Sequence, residues 1–129
     1  MTQALSLDPF ATYLQYDPRW QAKPLPVTDD FWPALQEGRL TVDGALVAAY
    51  RFDASMTHWE RHPAGDELVM VLSGALDLVV ERGAGEERTL LPAGRLGVVP
   101  RGLWHRFDVV APATALFFTP GEGTEHRAG

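Results

Sequence analysis

The chain contains no cysteine, which excludes disulfides, thiolate metal sites and cysteine nucleophiles together. Any metal it holds must therefore be taken by nitrogen and oxygen. Positive charge is also scarce: 11 Lys and Arg stand against 17 Asp and Glu, a formal net charge of −6. Phosphate backbones call for a basic face, so this balance argues against nucleic acid as a partner class. Long apolar runs are missing as well, the uninterrupted stretches being far shorter than a membrane span. The opening MTQALSLDPF has neither a basic nor a long apolar region, so no secretory signal is expected and a cytoplasmic protein is the default. There is no Gly-x-Ser-x-Gly elbow, no phosphate loop and no dinucleotide fingerprint.

The 129 residues suffice for one domain with a single core, and a hydrophobic content of 46% with mean hydropathy −0.11 describes an ordinary globular chain. Residues 1–27 scatter Phe10, Tyr13, Tyr16 and Trp20 among Pro9, Pro18, Pro24 and Pro26, which forbids a long helix. This reads as an arm whose aromatics pack on the domain or on a partner subunit. Asp30–Gly38 predicts one short helix, capped by Asp30, with Pro33 in its first turn and Gly38 at its end. The arm and helix together make residues 1–38.

From Arg39 onward the period becomes two. Strands are predicted at Leu40–Val42, Ala45–Phe52, Thr57–His62, Glu67–Leu72, Ala75–Glu81, Arg88–Leu91, Arg95–Val99, His105–Val110 and Thr114–Phe118, separated by Gly- and Pro-rich turns. In Ala75–Glu81, Leu76, Leu78 and Val80 point one way while Asp77, Val79 and Glu81 point to a wet face. Met70 and Leu72 read as core. Many short strands with close turns mean an all-β sandwich or closed barrel of the jelly-roll kind, spanning residues 39–119. Residues 120–129, ending in GEGTEHRAG, read as a flexible polar tail.

The chemistry concentrates in two segments. Trp59–Gly74 places Glu60, His62 and Glu67 within eight residues; Gly94–His105 brings His105 in behind a Pro-x-Gly turn. Residues two apart on a strand share a face, about 6.6–7 Å apart, so Glu60 and His62 can converge. His58 shares that face but lies about 13 Å from His62, too far to share its ion comfortably. The turn Pro63–Asp66 delivers Glu67 to the neighbouring strand, and only a closed sheet would bring His105 inward. Trp59 and Trp104 alternate with these residues and should face away from them. Arg61 and Arg101 read as surface, Arg101 sitting at a turn where it could meet an anion. His58-x-x-x-His62 lacks the helix and adjacent glutamate of a zincin. Taken singly, Glu60, His62 and Glu67 are ordinary charged residues at strand ends; the spacing of the set is what points to a site.

That spacing resembles the cupin superfamily, in particular its small single-domain members. The family's first motif runs Gly, five residues, His-x-His, three or four residues, Glu, six residues, Gly. This chain has Glu60-x-His62, four residues, Glu67, six residues, Gly74. The second runs Gly, five residues, Pro-x-Gly, two residues, His, three residues, Asn, and here Gly94, Pro100-x-Gly102 and His105 fit without a gap. Together the motifs cover residues 54–109. Ala54 replaces the first Gly, Val109 the final Asn, and Glu60 the first histidine ligand.

The resemblance implies a jelly-roll cupin barrel holding a divalent metal (Fe, Mn, Ni or Zn) on Glu60, His62, Glu67 and His105, with a carboxylate at Glu60 serving where the family uses an imidazole. Two histidines and two glutamates leave a divalent site neutral, where three histidines and one glutamate leave +1. The functional expectations are a metal-dependent dioxygenase, or an isomerase or lyase, acting on a small organic molecule in the barrel. The alternatives are a barrel that binds or senses a small molecule without turnover, and a metal-free acid/base isomerase using Glu60, Glu67 and His105. In the last, one of two facing carboxyls would have a raised pKa. Edge strands and outward apolar residues predict a homodimer, with the N-terminal arm covering a partner's sheet edge.

Overall fold

The structure, a computed structural model, describes residues 3–129. Nine strands and one short helix follow in the order β1 (Thr12–Tyr16), β2 (Ala22–Pro26), α1 (Phe31–Gln36), β3 (Ala45–Phe52), β4 (His58–Arg61), β5 (Glu67–Arg82), β6 (Gly85–Pro92), β7 (Leu96–Val99), β8 (His105–Pro120) and β9 (Glu125–Ala128). All pairings are antiparallel. The architecture is the all-β jelly roll that the turn spacing predicts.

The two longest strands, β5 and β8, run through both layers. The first half of β5 pairs with β7 and with the second half of β8, which in turn pairs with β3 and, through it, with β1 and β2. The second half of β5 pairs with β6 and with the first half of β8, beside which lie β4 and β9. One continuous hydrogen-bonded surface is thereby folded into two facing layers. The fold line is a series of register shifts between Val71 and Leu76, opposite Val109–Thr114. Sequence punctuation at Ser73-Gly74 and Ala111-Pro112 suggests strand ends; instead each pair of predicted strands is one strand bent through a corner. Gly74 makes the corner possible, with φ of +73° and the Pro112 carbonyl oxygen only 2.0 Å from where a Cβ would sit.

Between the layers pack Val69, Val71, Leu76, Leu78, Phe107 and Phe117, all buried. A second cluster of Tyr13, Leu25, Phe31, Val42, Leu46 and Ala48 closes the end under α1. The N-terminal arm is taken up by its own chain: β1 and β2 form a hairpin, β1 pairs with β3, and Tyr13 meets Phe31 edge-on at 5.2 Å. Helix α1 starts after Asp30, but Asp30 makes no side-chain cap; its carboxylate instead takes both Arg39 guanidinium nitrogens, at 2.8 and 3.0 Å.

Four further expectations change. Leu40–Val42 is not a strand, although Val42 is buried. Met70 and Leu72 are not core: Glu67, Val69 and Val71 take the inner face, so period two sends Leu68, Met70 and Leu72 outward. Val79 is fully buried rather than wet, lying in register between Arg88 and Arg106. Nor is the tail free. Strand β9 pairs with β4, and Arg127 lies over the rings of Trp59 and Trp104 while its guanidinium meets Glu81 at 2.6 Å. Trp59 and Trp104 thus face outward, under arginines.

Gly74→Ala should destabilise the protein by about 1–3 kcal/mol from its φ alone, and by more from the Pro112 overlap. Urea unfolding of the two proteins checks this, whereas Gly83→Ala, in open space, should cost only its φ strain.

Candidate metal centre

Glu60 and His105 are opposite one another in the β4–β8 pairing, so their side chains leave the same face of the same layer. His62 follows one residue after β4 and, two beyond Glu60, emerges on that face too. Glu67 opens β5 in the other layer and reaches back across the interior. Two ties between the motif turns fix this meeting: the Gly102 amide donates to the His62 carbonyl (3.0 Å), and the Arg101 amide donates to Asp66 (2.7 Å). The Arg101 Nε donates to the Pro63 carbonyl, tying the same two turns again.

The four sequence-designated residues converge. Glu67 Oε2 lies 3.3 Å from His62 Nε2, and Glu67 Oε1 lies 3.3 Å from His105 Nε2. The two rings are 5.1 Å apart. Glu60 stands further off, its Oε2 3.9 Å from His62 Nε2, and Glu60, His62 and His105 can offer ligand atoms all within 4.8 Å of one another. His62, Glu67 and His105 are buried, while Glu60 keeps 24% of its side chain exposed at the opening.

The hydrogen bonds around the set orient its lone pairs. His105 Nδ1 lies 3.3 Å from the Leu103 carbonyl, which can only accept, so Nδ1 carries a proton and the ring is oriented with Nε2 toward Glu67. His62 Nδ1 is held by Thr124 Oγ1 at 2.9 Å, and Thr119 Oγ1 donates to Glu67 Oε2 at 2.6 Å. His62 Nε2 and Glu67 Oε1 have no hydrogen-bond partner among the described residues, although each has an atom of the cluster 3.3 Å away. Burial pushes the Glu67 carboxyl up, but His105 and His62 beside it outweigh that and hold it at about 2. Acceptors gathered in an apolar interior want a positive charge among them, and a divalent ion on Nε2, Nε2 and carboxylate oxygen meets that need. The residues fit such an ion.

Above the set opens a cavity of about 910 Å³, walled by Trp32, Tyr50, Phe52, Met56, Phe107 and Phe117 among others. Burial, then the charges of Tyr13, Glu67 and Glu60, raise the Tyr50 phenol well above its usual range, so it stays protonated and able to donate. Sequence reasoning missed Tyr50, Thr119, Thr124 and His126. None belongs to a motif, and Thr124 and His126 lie in the segment read as tail.

A family model described as a cupin domain matches residues 50–121, more than half of the chain. No curated protein matches it in sequence. Among solved structures, a cupin-2 domain containing protein from Shewanella frigidimarina superposes with a TM-score of 0.52 at 18% identity, over 63% of this chain and 74% of that one. An oxalate oxidase gives 0.52 at 24% identity over 63% of this chain, and a hydroquinone 1,2-dioxygenase in complex with Cd2+ and 4-hydroxybenzonitrile gives 0.50 at 21% over 60%. The chain spans 45% and 58% of the length of those last two. No helix among the described residues is long and apolar enough to cross a membrane.

Because Thr124 orients His62, Thr124→Val should weaken metal affinity about 10- to 100-fold with little change in folding. Competition with a chelating dye measures the first, and thermal unfolding of the metal-free protein the second.

Proposed function

This chain belongs to the cupin domain family, and we propose that its barrel holds one divalent metal on Glu60, His62 and His105, with Glu67 between the two histidines as the fourth ligand, and acts on a small organic molecule in the cavity above. The observation that carries this reading is the unpartnered pair, His62 Nε2 and Glu67 Oε1, buried at the floor of a cavity with aromatic walls. Two imidazoles and a carboxylate with open positions suit non-haem Fe(II) and O2 chemistry; Mn, Ni or Zn in the same ligands would suit isomerase or lyase chemistry. When bound, the ion supplies Lewis acidity and a docking point for a polar group of the ligand. The chain's own residues do the rest: the aromatic walls take the ligand's apolar body and exclude water, while the Tyr50 phenol donates to an acceptor on it. An oxalate oxidase and a hydroquinone 1,2-dioxygenase among the fold's relatives favour O2-dependent chemistry over the isomerase. A binding barrel without turnover is the second reading, supported by the same apolar lining.

Protein purified without added metal should carry an Fe, Mn, Ni or Zn ion by plasma mass spectrometry. His62→Ala and His105→Ala should each lose that ion. Glu60→Gln should lower total metal content, because an amide brings no charge to offset the ion's desolvation, and Glu60→His should keep that ion. Unchanged content in His62→Ala would sink the reading.

We also propose a homodimer formed through the outer face of the layer holding β7. There Leu68, Met70, Leu72, Leu96 and Val98 are outward, with Leu68 beside Val98 and Met70 beside Leu96 in register. A continuous apolar stripe of this kind is best covered by a second copy of itself. Light scattering should give a dimer at micromolar concentration and a monomer for Val98→Glu; a monomeric parent removes the idea.

A further inference from the structure

Glu60 has two oxygens, and they face different histidines. Oε2 looks inward to His62 Nε2 at 3.9 Å, whereas Oε1 looks outward, 3.1 Å from His58 Nε2 and 3.9 Å from His126 Nδ1. We propose that His58, Glu60 and His126 form a second, outer cation site for a zinc-like divalent ion at the mouth of the barrel, with Glu60 as the carboxylate shared between the outer and inner ions.

The local backbone builds this site. Strands β4 and β9 pair with Glu60 opposite His126, so those side chains stand together on one face. His58, two residues before Glu60, shares that face. The three ligand atoms lie within 4.8 Å of one another, and the two rings are 5.5 Å apart at an angle of 44°. Ligands at about 2.0–2.1 Å from a tetrahedral ion stand about 3.3 Å apart, so the cluster needs only small side-chain rotations to close. The rotations are open to it, because the His58 and His126 side chains are 43% and 60% exposed.

The donor set chooses the ion. Two imidazoles and one carboxylate favour Zn, Ni, Co or Cu over Mg or Ca, which prefer all-oxygen shells. Three protein ligands leave a fourth position open, and all three residues line the same cavity as the inner set. An ion there would face a molecule lying between the two sites. The arrangement also gives the carboxylate at position 60 a physical use. An imidazole presents one nitrogen to a metal and turns the other away, while a carboxylate can ligate on both sides. The inner site rests on the reading above; the outer one depends only on its own three residues.

Zinc titration of the chelator-treated full chain tests this by calorimetry and mass spectrometry under native conditions. The parent should bind two Zn2+ with micromolar or tighter affinity. His58→Ala and His126→Ala should each bind one, their outer affinity falling at least about 100-fold. His62→Ala should also bind one, and His62→Ala/His126→Ala none. Both outer histidines are exposed, so their loss should leave thermal unfolding of the metal-free protein unchanged. A parent that binds one ion, lost in His62→Ala and kept in His126→Ala, overturns the outer site and leaves the inner reading standing. One ion lost in His126→Ala and kept in His62→Ala supports the outer site and overturns the inner reading. Outer binding only at millimolar zinc, a hydrogen-bonded His58–Glu60 pair without a metal, would overturn the proposal.

Discussion

A carboxylate held between two imidazole nitrogens, across the gap separating two layers of sheet, is the contact on which the rest of the structure depends. Glu67 comes from one layer, His62 and His105 from the other, and all three are buried. Such a grouping is costly in an apolar interior unless its charges compensate one another or gather a cation. The surrounding chain supports it: Thr119 donates to the carboxylate, and Thr124 and the Leu103 carbonyl set the two rings. Removing any one of the three heads would leave the others buried and uncompensated.

Much of the fold serves to bring these heads together. The bend in β5 and β8 turns one hydrogen-bonded surface into two facing layers, so residues far apart along a strand face each other across the barrel. The turns carrying Gly102 and Asp66 lock the two motifs at their ends. Strand β9 adds a second support. Its Arg127 is clasped by Glu81 and lies over Trp59 and Trp104, seating the segment that supplies Thr124 and His126.

Glu60 distinguishes this chain from the spacing it otherwise follows. A carboxylate in place of an imidazole makes a divalent inner site neutral, weakening it as an electrophile and as an anion trap. It also stands nearest His58, at 3.1 Å, with His126 and His62 each 3.9 Å away on opposite sides. Its position at the opening, about a quarter of its side chain exposed, lets it face both groups.

Periodicity and turn residues by themselves determined that this is a β-rich jelly roll, and motif spacing marked Glu60, His62, Glu67 and His105 as the residues that meet. Both are local statements: alternation fixes which side chains share a face, and glycines such as Gly74 and Gly102 fix where the chain turns or bends. Period two, applied from Glu67, also sends Met70 outward, a consequence that hydrophobicity alone obscures. Tertiary structure decided what depends on distant segments. Ser73-Gly74 and Ala111-Pro112 became corners within strands because each found its partner in the other. The polar run Glu125–Ala128 became a strand because β4 offered an edge and two tryptophans awaited a guanidinium. Thr119, Tyr50 and His126 acquired their places at the site through pairings with strands far away in the chain, and Thr124 through the loop that leads into β9, where neither composition nor spacing carries any trace of them.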